Sequence, residues 1–304
     1  MPAVAPFGTI HALARSRRRR RRSALSGWRS RIRHFGITLV FVIVGSGLWY
    51  TQEQEYRDQL SWMGVPTWES LTPLTVHRVL RNDGFLVGWS DIRVNPLWVS
   101  YLLHEVDDPD AGPRPGFRQD WRTLWPIAAD SYSGSGYDRG HLAPNYALAV
   151  VHGREAQQQS FLMSNISPQR PDLNRRLWQR LEEVVIDHFV PHFGVVQVIT
   201  GPVFPERFLD NVTNRVGLVE IPEAFYKIVV VPADEPMGLA FIMPQDVRGD
   251  EPLDDYLVSI DEVEARTGLN FFPRLPEETA EVLEGEVVAE GWALDEVARL
   301  PGRF

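Results

Sequence analysis

The 304-residue chain contains no cysteine. That removes a disulfide framework, a thiolate zinc site and a thiol nucleophile together. It leaves the compartment open, because a chain without thiols is indifferent to redox poise. Acidic residues are missing from the start of the chain, where none precedes Glu53. Ten of the 31 basic residues lie between Arg15 and Arg33. The remainder therefore carries 21 basic against 40 acidic side chains, a balance of −19 that the overall net charge of −9 conceals. So acidic a body does not bind a polyanion through its general surface charge. Such a ligand must be met by a local cluster of arginines or by bound metal. Past residue 34 there is neither an internal repeat nor a low-complexity stretch, and the hydrophobic fraction of 44% is that of an ordinary globular protein.

One uncharged apolar run is present. Residues 1–34 form a basic tail with the run Arg17 to Arg22, and residues 35–50 read FGITLVFVIVGSGLWY. Sixteen helical residues span roughly 24 Å against a bilayer core of about 30 Å. The span is short, with Trp49 and Tyr50 placed to complete it at the interface. Three readings compete: a signal anchor, a cleaved signal peptide without a clear small-residue cleavage site, and an Arg-rich mitochondrial presequence. The anchor reading predicts a single-pass membrane protein with its N-terminus in the cytoplasm and its body outside. The alternatives place it at the mitochondrial inner membrane or intermembrane space, or secreted after cleavage. The Arg run itself reads as a topology signal or as a nucleic-acid arm. Residues 51–75 read as a polar linker punctuated by proline.

The body, 76–276, mixes strands and helices without regular alternation, which predicts an α+β class. Strand-like runs rich in Val, Ile, Phe and Tyr fall at Leu97–Leu103, Phe161–Ile166, Val195–Thr200, Tyr226–Val231 and Leu239–Met243. From Asp172, LNRRLWQRLEEVVIDHF places Leu173, Leu177, Leu181 and Val184 on one helical stripe, with Asp172 available as its cap. The acidic end, 277–304, reads as a helical appendage.

Chemistry concentrates in two segments. In SYSGSGYDRGHLAPN (Ser131 to Asn145) a Gly/Ser turn leads into a short strand that stops at Pro144. Alternation puts Arg139 and His141 on one face and Asp138 on the other, with Gly140 admitting a close approach. A cation beside an imidazole lowers its pKa and favours the neutral base. The bland alternative is a surface histidine near an arginine. Downstream, Asn174 opens the helix and Glu182 follows eight residues later. They are separated by about 80° around the axis and roughly 12 Å along it, so both can face one site. Spacing alone equally allows an ordinary polar helix start and a solvated glutamate.

Together, YDRGHLAP and SNISPQ…LNRRLWQRLE closely resemble the DNA/RNA non-specific endonuclease family, which includes secreted bacterial nucleases and the mitochondrial endonuclease G type. GFRQDW, TGPVF, IPEAFYKIVV and RTGLNFF match in order, and the resemblance runs from about Val76 to Pro276. It implies a ββα-metal (His-Me finger) core, two strands and a helix around one divalent ion, within a mixed, largely antiparallel domain. It implies His141 as general base and Asn174 as the direct metal ligand. Glu182 would act through the metal's water, and Arg139 and Arg118 on the phosphate. Asn165 and Gln169 would support this geometry. Oxygen donors of this kind suit Mg2+, with Mn2+ able to substitute, better than zinc. The implied reaction is hydrolysis of DNA and RNA without sequence or sugar preference, leaving 5′-phosphate and 3′-hydroxyl ends. Two other readings use the same groove: a phosphodiesterase acting on small nucleotides, and a non-catalytic, membrane-tethered nucleic-acid-binding or uptake module.

Overall fold

The apolar run and both its flanks lack proline after Pro6 and contain no strand signal, and they form one long helix, α1 (Thr9–Leu60). The computed structural model describes residues 9–107, 109–205 and 213–302, and for residues 9–33 the backbone alone. The side chains of the Arg17–Arg22 run therefore lie outside the described residues. The chain divides into two compact units, Met1–Tyr56 and Arg57–Phe304. Within the helix, His34–Leu60 is long and apolar enough to cross a membrane, with a mean hydropathy of 1.4 and none of its most apolar stretch buried in protein. The stretch expected as a linker is helical as far as Leu60. Its first ten residues, TQEQEYRDQL, hold no glycine or proline, and the first breakers are Gly64 and Pro66. Beyond them β1 (Thr67–Trp68) pairs with Leu269 and Asn270 near the other end of the body.

In chain order there follow β2 (Arg78–Asn82), β3 (Phe85–Ser90), β4 (Asn95–His104), β5 (Asp138–His141), β6 (Ile166–Gln169) and β7 (Val195–Val203). Then come β8 (Arg215–Val216), β9 (Val219–Glu220), β10 (Ala224–Val231), β11 (Met237–Pro244), β12 (Leu257–Val258) and β13 (Leu269–Asn270). Seven of them form one sheet in the order β12–β11–β10–β7–β4–β3–β2, antiparallel throughout. The α+β reading holds. β3, β4, β7 and β10 are buried along nearly their whole length, because both sheet faces are covered. On β10, Phe225 meets Trp178 at 5.8 Å between ring centroids, whereas Tyr226, pointing to the opposite face, meets Phe271 at 5.2 Å.

β5 and β6 form a separate antiparallel pair, joined through helix α2 (Asn145–Ser160) and followed by helix α3 (171–193). The strand expected at Phe161–Ile166 does not form. Met163–Asn165 is a 3-10 turn, and the strand begins only at Ile166. The cause is local: the Asn165 amide bonds the backbone of Ala143 and Ser160, which replaces a ladder. In α3 the expected stripe Leu173, Leu177, Leu181 and Val184 is buried. Its segments Leu173–Leu177 and Val185–Phe189 are π-helical. Asp172 does not cap it; its backbone is already helical and its side chain makes no cap hydrogen bond. The acidic end is no appendage either. Trp292 packs edge-to-face against Phe189 and Phe193, with ring centroids 4.9 and 4.7 Å away.

Gly201 on β7 shows how closely the covered face is packed. Tyr226 Oη donates to Leu97 O at 3.0 Å across this position. A Cβ on Gly201 would lie 2.3 Å from Leu97 O and 2.6 Å from the phenol oxygen. Gly201→Ala is therefore expected to cost about 3 kcal/mol through overpacking. Tyr226→Phe, which only strands a buried carbonyl, is expected to cost about 1–2 kcal/mol. Urea unfolding of the two variants checks the order, and an alanine variant as stable as wild type would refute it.

Candidate active site

The ladder between β5 and β6 sets the site. Asp138 lies opposite Gln169, Gly140 opposite Ser167 and His141 opposite Ile166. Gln169 is wholly buried and lies against Gly140, where a Cβ would approach its Oε1 to 2.0 Å. Any larger residue there would force the buried Gln169 side chain to move. Asn165, also wholly buried, accepts from Ala143 N at 2.9 Å and donates to Ala143 O and Ser160 O. It ties down the chain just after His141. Neither Asn165 nor Gln169 reaches the cleft; both hold its walls.

The cleft has a volume of about 730 Å³ and is lined by Asp138, Arg139 and His141 from β5 and by Asn174, Trp178 and Glu182 from α3. His141, Arg139, Asn174 and Glu182 thus meet in one place, as their two motifs implied. The π-helical first turn of α3 changes the angular spacing on which the 80° separation of Asn174 and Glu182 was reckoned.

His141 packs in an aromatic wedge, with ring centroids 5.3 Å from Phe117 and 4.7 Å from Phe161. The same two rings carry the guanidiniums. Arg139 lies 4.5 Å over Phe117 and Arg114 lies 5.4 Å over Phe161. His141 Nε2 is shielded and has no hydrogen-bond partner among the described residues. Burial first, then the fields of Arg114 and Arg139, pull its pKa down to about 3.

Asp138 departs from the expectation that it faces away. It lines the cleft and accepts from Asn174 Nδ2 at 3.0 Å and from Arg175 Nε and Nη2 at 2.7 and 2.6 Å. It stands at the first position of a four-residue strand, next to the start of α3, so the strict alternation of a strand interior does not govern it. Partial burial works to raise its pKa, but the bonds from Arg175 and Asn174 outweigh that and hold it below the usual carboxylate range. A carboxylate only accepts, so the Asn174 amide nitrogen must face Asp138. Asn174 Oδ1 is left with no hydrogen bond among the described residues.

Arg118 is not among the residues that line the cleft. Its guanidinium donates to Gln158 O at 3.1 Å, and its backbone bridges to the strand-like edge at Leu162. Phe117 beside it points to the cleft, so Arg118 points away. Arg114 takes the place expected for it. Motif reading missed Arg114 because the intervening Pro115 and Gly116 carry no periodicity from which to fix a direction.

Residues 70–278 match the family model described as DNA/RNA non-specific endonuclease. The chain is 40% identical to Nuclease C1 of Cunninghamella echinulata var. echinulata, over 47% of this chain and 60% of that one. It is 29% identical to a nuclease of Nostoc sp., over 74% of this chain and 84% of that one. The mitochondrial nuclease EXOG of Xenopus laevis is 32% identical over 67% of this chain and 60% of its own length. In fold, the chain is similar to a chain in the crystal structure of the EndoG/EndoGI complex. The TM-score is 0.62 and the identity 24%, covering 74% of this chain and 94% of that chain. At that identity the likeness is one of fold.

A depressed histidine has a definite sign. The unfolded chain takes up the proton near pH 6.5 and the folded chain only near 3, so this contribution to stability is full above pH 6.5 and is lost as the pH falls toward 3. Imidazole NMR signals of His141, assigned by comparison with His141→Asn, are expected not to titrate between pH 5 and 8. A midpoint near 6.5 would contradict the shielded environment.

Proposed function

Because the chain belongs to the DNA/RNA non-specific endonuclease family, we propose that it is a hydrolase that cuts DNA and RNA phosphodiester bonds in the cleft between β5 and α3. The observation that carries this is the convergence of one shielded, unpartnered imidazole, two guanidiniums and two oxygen donors on that cleft.

His141 acts as general base. Its neutral Nε2 has no competing partner and takes a proton from the attacking water. Arg139 and Arg114 hold the phosphate, and Arg114 replaces Arg118 in that role. Before substrate binds, the two cations depress the basicity of His141; a phosphate between them removes that part of the shift, so the base strengthens when substrate is present. Contacts of this kind read phosphate and not base, which accounts for low sequence selectivity. The acidic body is no obstacle, since the binding charge is local. The expected ends are 5′-phosphate and 3′-hydroxyl.

The site fits a magnesium-type ion. Asn174 Oδ1 is left over after Asp138 fixes the amide, and Glu182 Oε1 is shielded without a partner. Both are hard oxygen donors, and the chain has no thiolate to attract zinc. Asn174 would bind the ion directly and Glu182 through its water, with manganese able to replace magnesium. Such an ion supplies positive charge against the charge that develops on the phosphoryl oxygens. Asp138 keeps the Asn174 carbonyl aimed, and Trp178 walls the site.

The test is incubation of the full chain in detergent with plasmid DNA and with RNA, with and without magnesium. Cutting of both polymers, dependent on metal, is expected. His141→Ala should lose more than 90% of turnover while still binding substrate. Asn174→Ala should shift the metal requirement upward more than Glu182→Gln does, while Glu182→Gln lowers turnover about 10- to 100-fold. A His141→Ala enzyme with a tenth or more of wild-type rate rejects the base assignment.

For location, the reading is a single-pass anchor with the N-terminus in the cytoplasm and the body outside. The run of basic residues before His34–Leu60 supports it. Several relatives bear mitochondrial names, which keeps an inner-membrane or intermembrane-space location as the second reading. Protease added to intact spheroplasts is expected to digest the body; digestion only after lysis would reverse the topology.

A further inference from the structure

Of the 31 basic residues, one is a lysine, Lys227. It lies two residues after Phe225 on β10, so it shares the face that packs against α3, and it is completely buried. Its ammonium lies 4.3 Å from the centre of the Trp178 ring. Nζ has no hydrogen-bond partner among the described residues. The acidic side chain whose field reaches it is Glu182, one helical turn beyond Trp178 on α3. Glu182 in turn opens to the cleft on one side while its Oε1 is shielded and unpartnered.

A cation in this position is costly. Removing an ammonium from water opposes folding, and an apolar residue of the same length would commonly be as stable or more so. A π face offsets part of that cost. Stability alone therefore does not account for a charge buried against Trp178, which lines the cleft. Lysine also differs from the arginines used elsewhere in the chain. Its ammonium is compact and fits below an indole, whereas a planar guanidinium needs a fork of acceptors that this site lacks.

We propose that Lys227 is a positioning residue for Glu182: buried against Trp178, one helical turn from Glu182 on α3, its charge keeps the Glu182 side chain in one place where it lines the cleft and faces the hydrated metal. This rests on the reading of Asn174 and Glu182 as the metal site. Without the buried cation, the Glu182 carboxylate loses the opposite charge that attracts it, and Trp178 alone remains to hold it.

The experiment reads metal binding and not turnover. Mn2+ affinity of the full chain in detergent is measured by electron paramagnetic resonance for wild type, Lys227→Met, Glu182→Gln and the double variant. Methionine keeps the length and removes the charge. Lys227→Met is expected to weaken Mn2+ binding by roughly 10- to 100-fold, as changes behind a ligand commonly do, with the melting temperature unchanged or raised. The double variant should bind no more weakly than Glu182→Gln alone. Because the chain has one lysine, labelling with [ε-13C]lysine yields one side-chain signal. In wild type it should move on addition of Mg2+, and in Glu182→Gln that response should be lost; this second measurement needs no change at Lys227. Wild-type affinity in Lys227→Met beside weakened binding in Glu182→Gln overturns the assignment, as does a lysine signal indifferent to Mg2+. Unchanged binding in both single variants overturns the metal-site reading, and this inference falls with it.

Discussion

Asp138 joins the strand that bears His141 to the helix that bears Asn174. Its two oxygens take a bidentate pair of bonds from Arg175 and one from the Asn174 amide, and such charge-assisted bonds are the stronger and more directional kind. β5 is only four residues long and belongs to a two-stranded ladder outside the main sheet. Two strands alone are marginally stable in water. The ladder is held from both ends instead: by Asp138 on α3, and by Asn165, which ties Ala143 to Ser160. With these ties the imidazole and the amide oxygen occupy one cleft at fixed places.

The charge of the site is arranged in layers. At its mouth, Arg114 and Arg139 rest on the faces of Phe161 and Phe117. The rings orient the guanidiniums without neutralising their charge. Between the rings sits a neutral imidazole, kept so by burial and by the same two cations. Asn174 and Glu182 line the cleft as acceptors, and the buried ammonium of Lys227 lies against Trp178, which lines it too. An overall acidic body can therefore carry a locally positive cleft, because the field that matters there is set over a few ångströms and not by net charge.

The main sheet acts as the rigid base of this arrangement. Its central strands are covered on both faces, so they read as continuous apolar runs instead of alternating ones. One face receives α3 through Trp178, Leu177 and Leu181, and the position of Glu182 follows from that docking. The C-terminal segment completes the packing through Trp292.

Much of this was legible from residue order alone. The apolar runs of β4, β7, β10 and β11, the buried stripe of α3 and the pairing of DRGH with the Asn174–Glu182 helix depend on local pattern, and local pattern survives folding. The strand at Phe161–Ile166 did not, because a side chain, Asn165, competed for the backbone bonds that a ladder would have used. The direction of Asp138, the exchange of Arg118 for Arg114 and the inclusion of 277–304 in the core were decided by tertiary structure. Each depends on which distant segment arrives beside the residue: the start of α3 for Asp138, the Phe161 ring for Arg114, and Phe189 and Phe193 for Trp292. Lys227 belongs with these. Its place in the chain is plain, but its isolation beneath Trp178 arises only when β10 and α3, far apart in sequence, close over it.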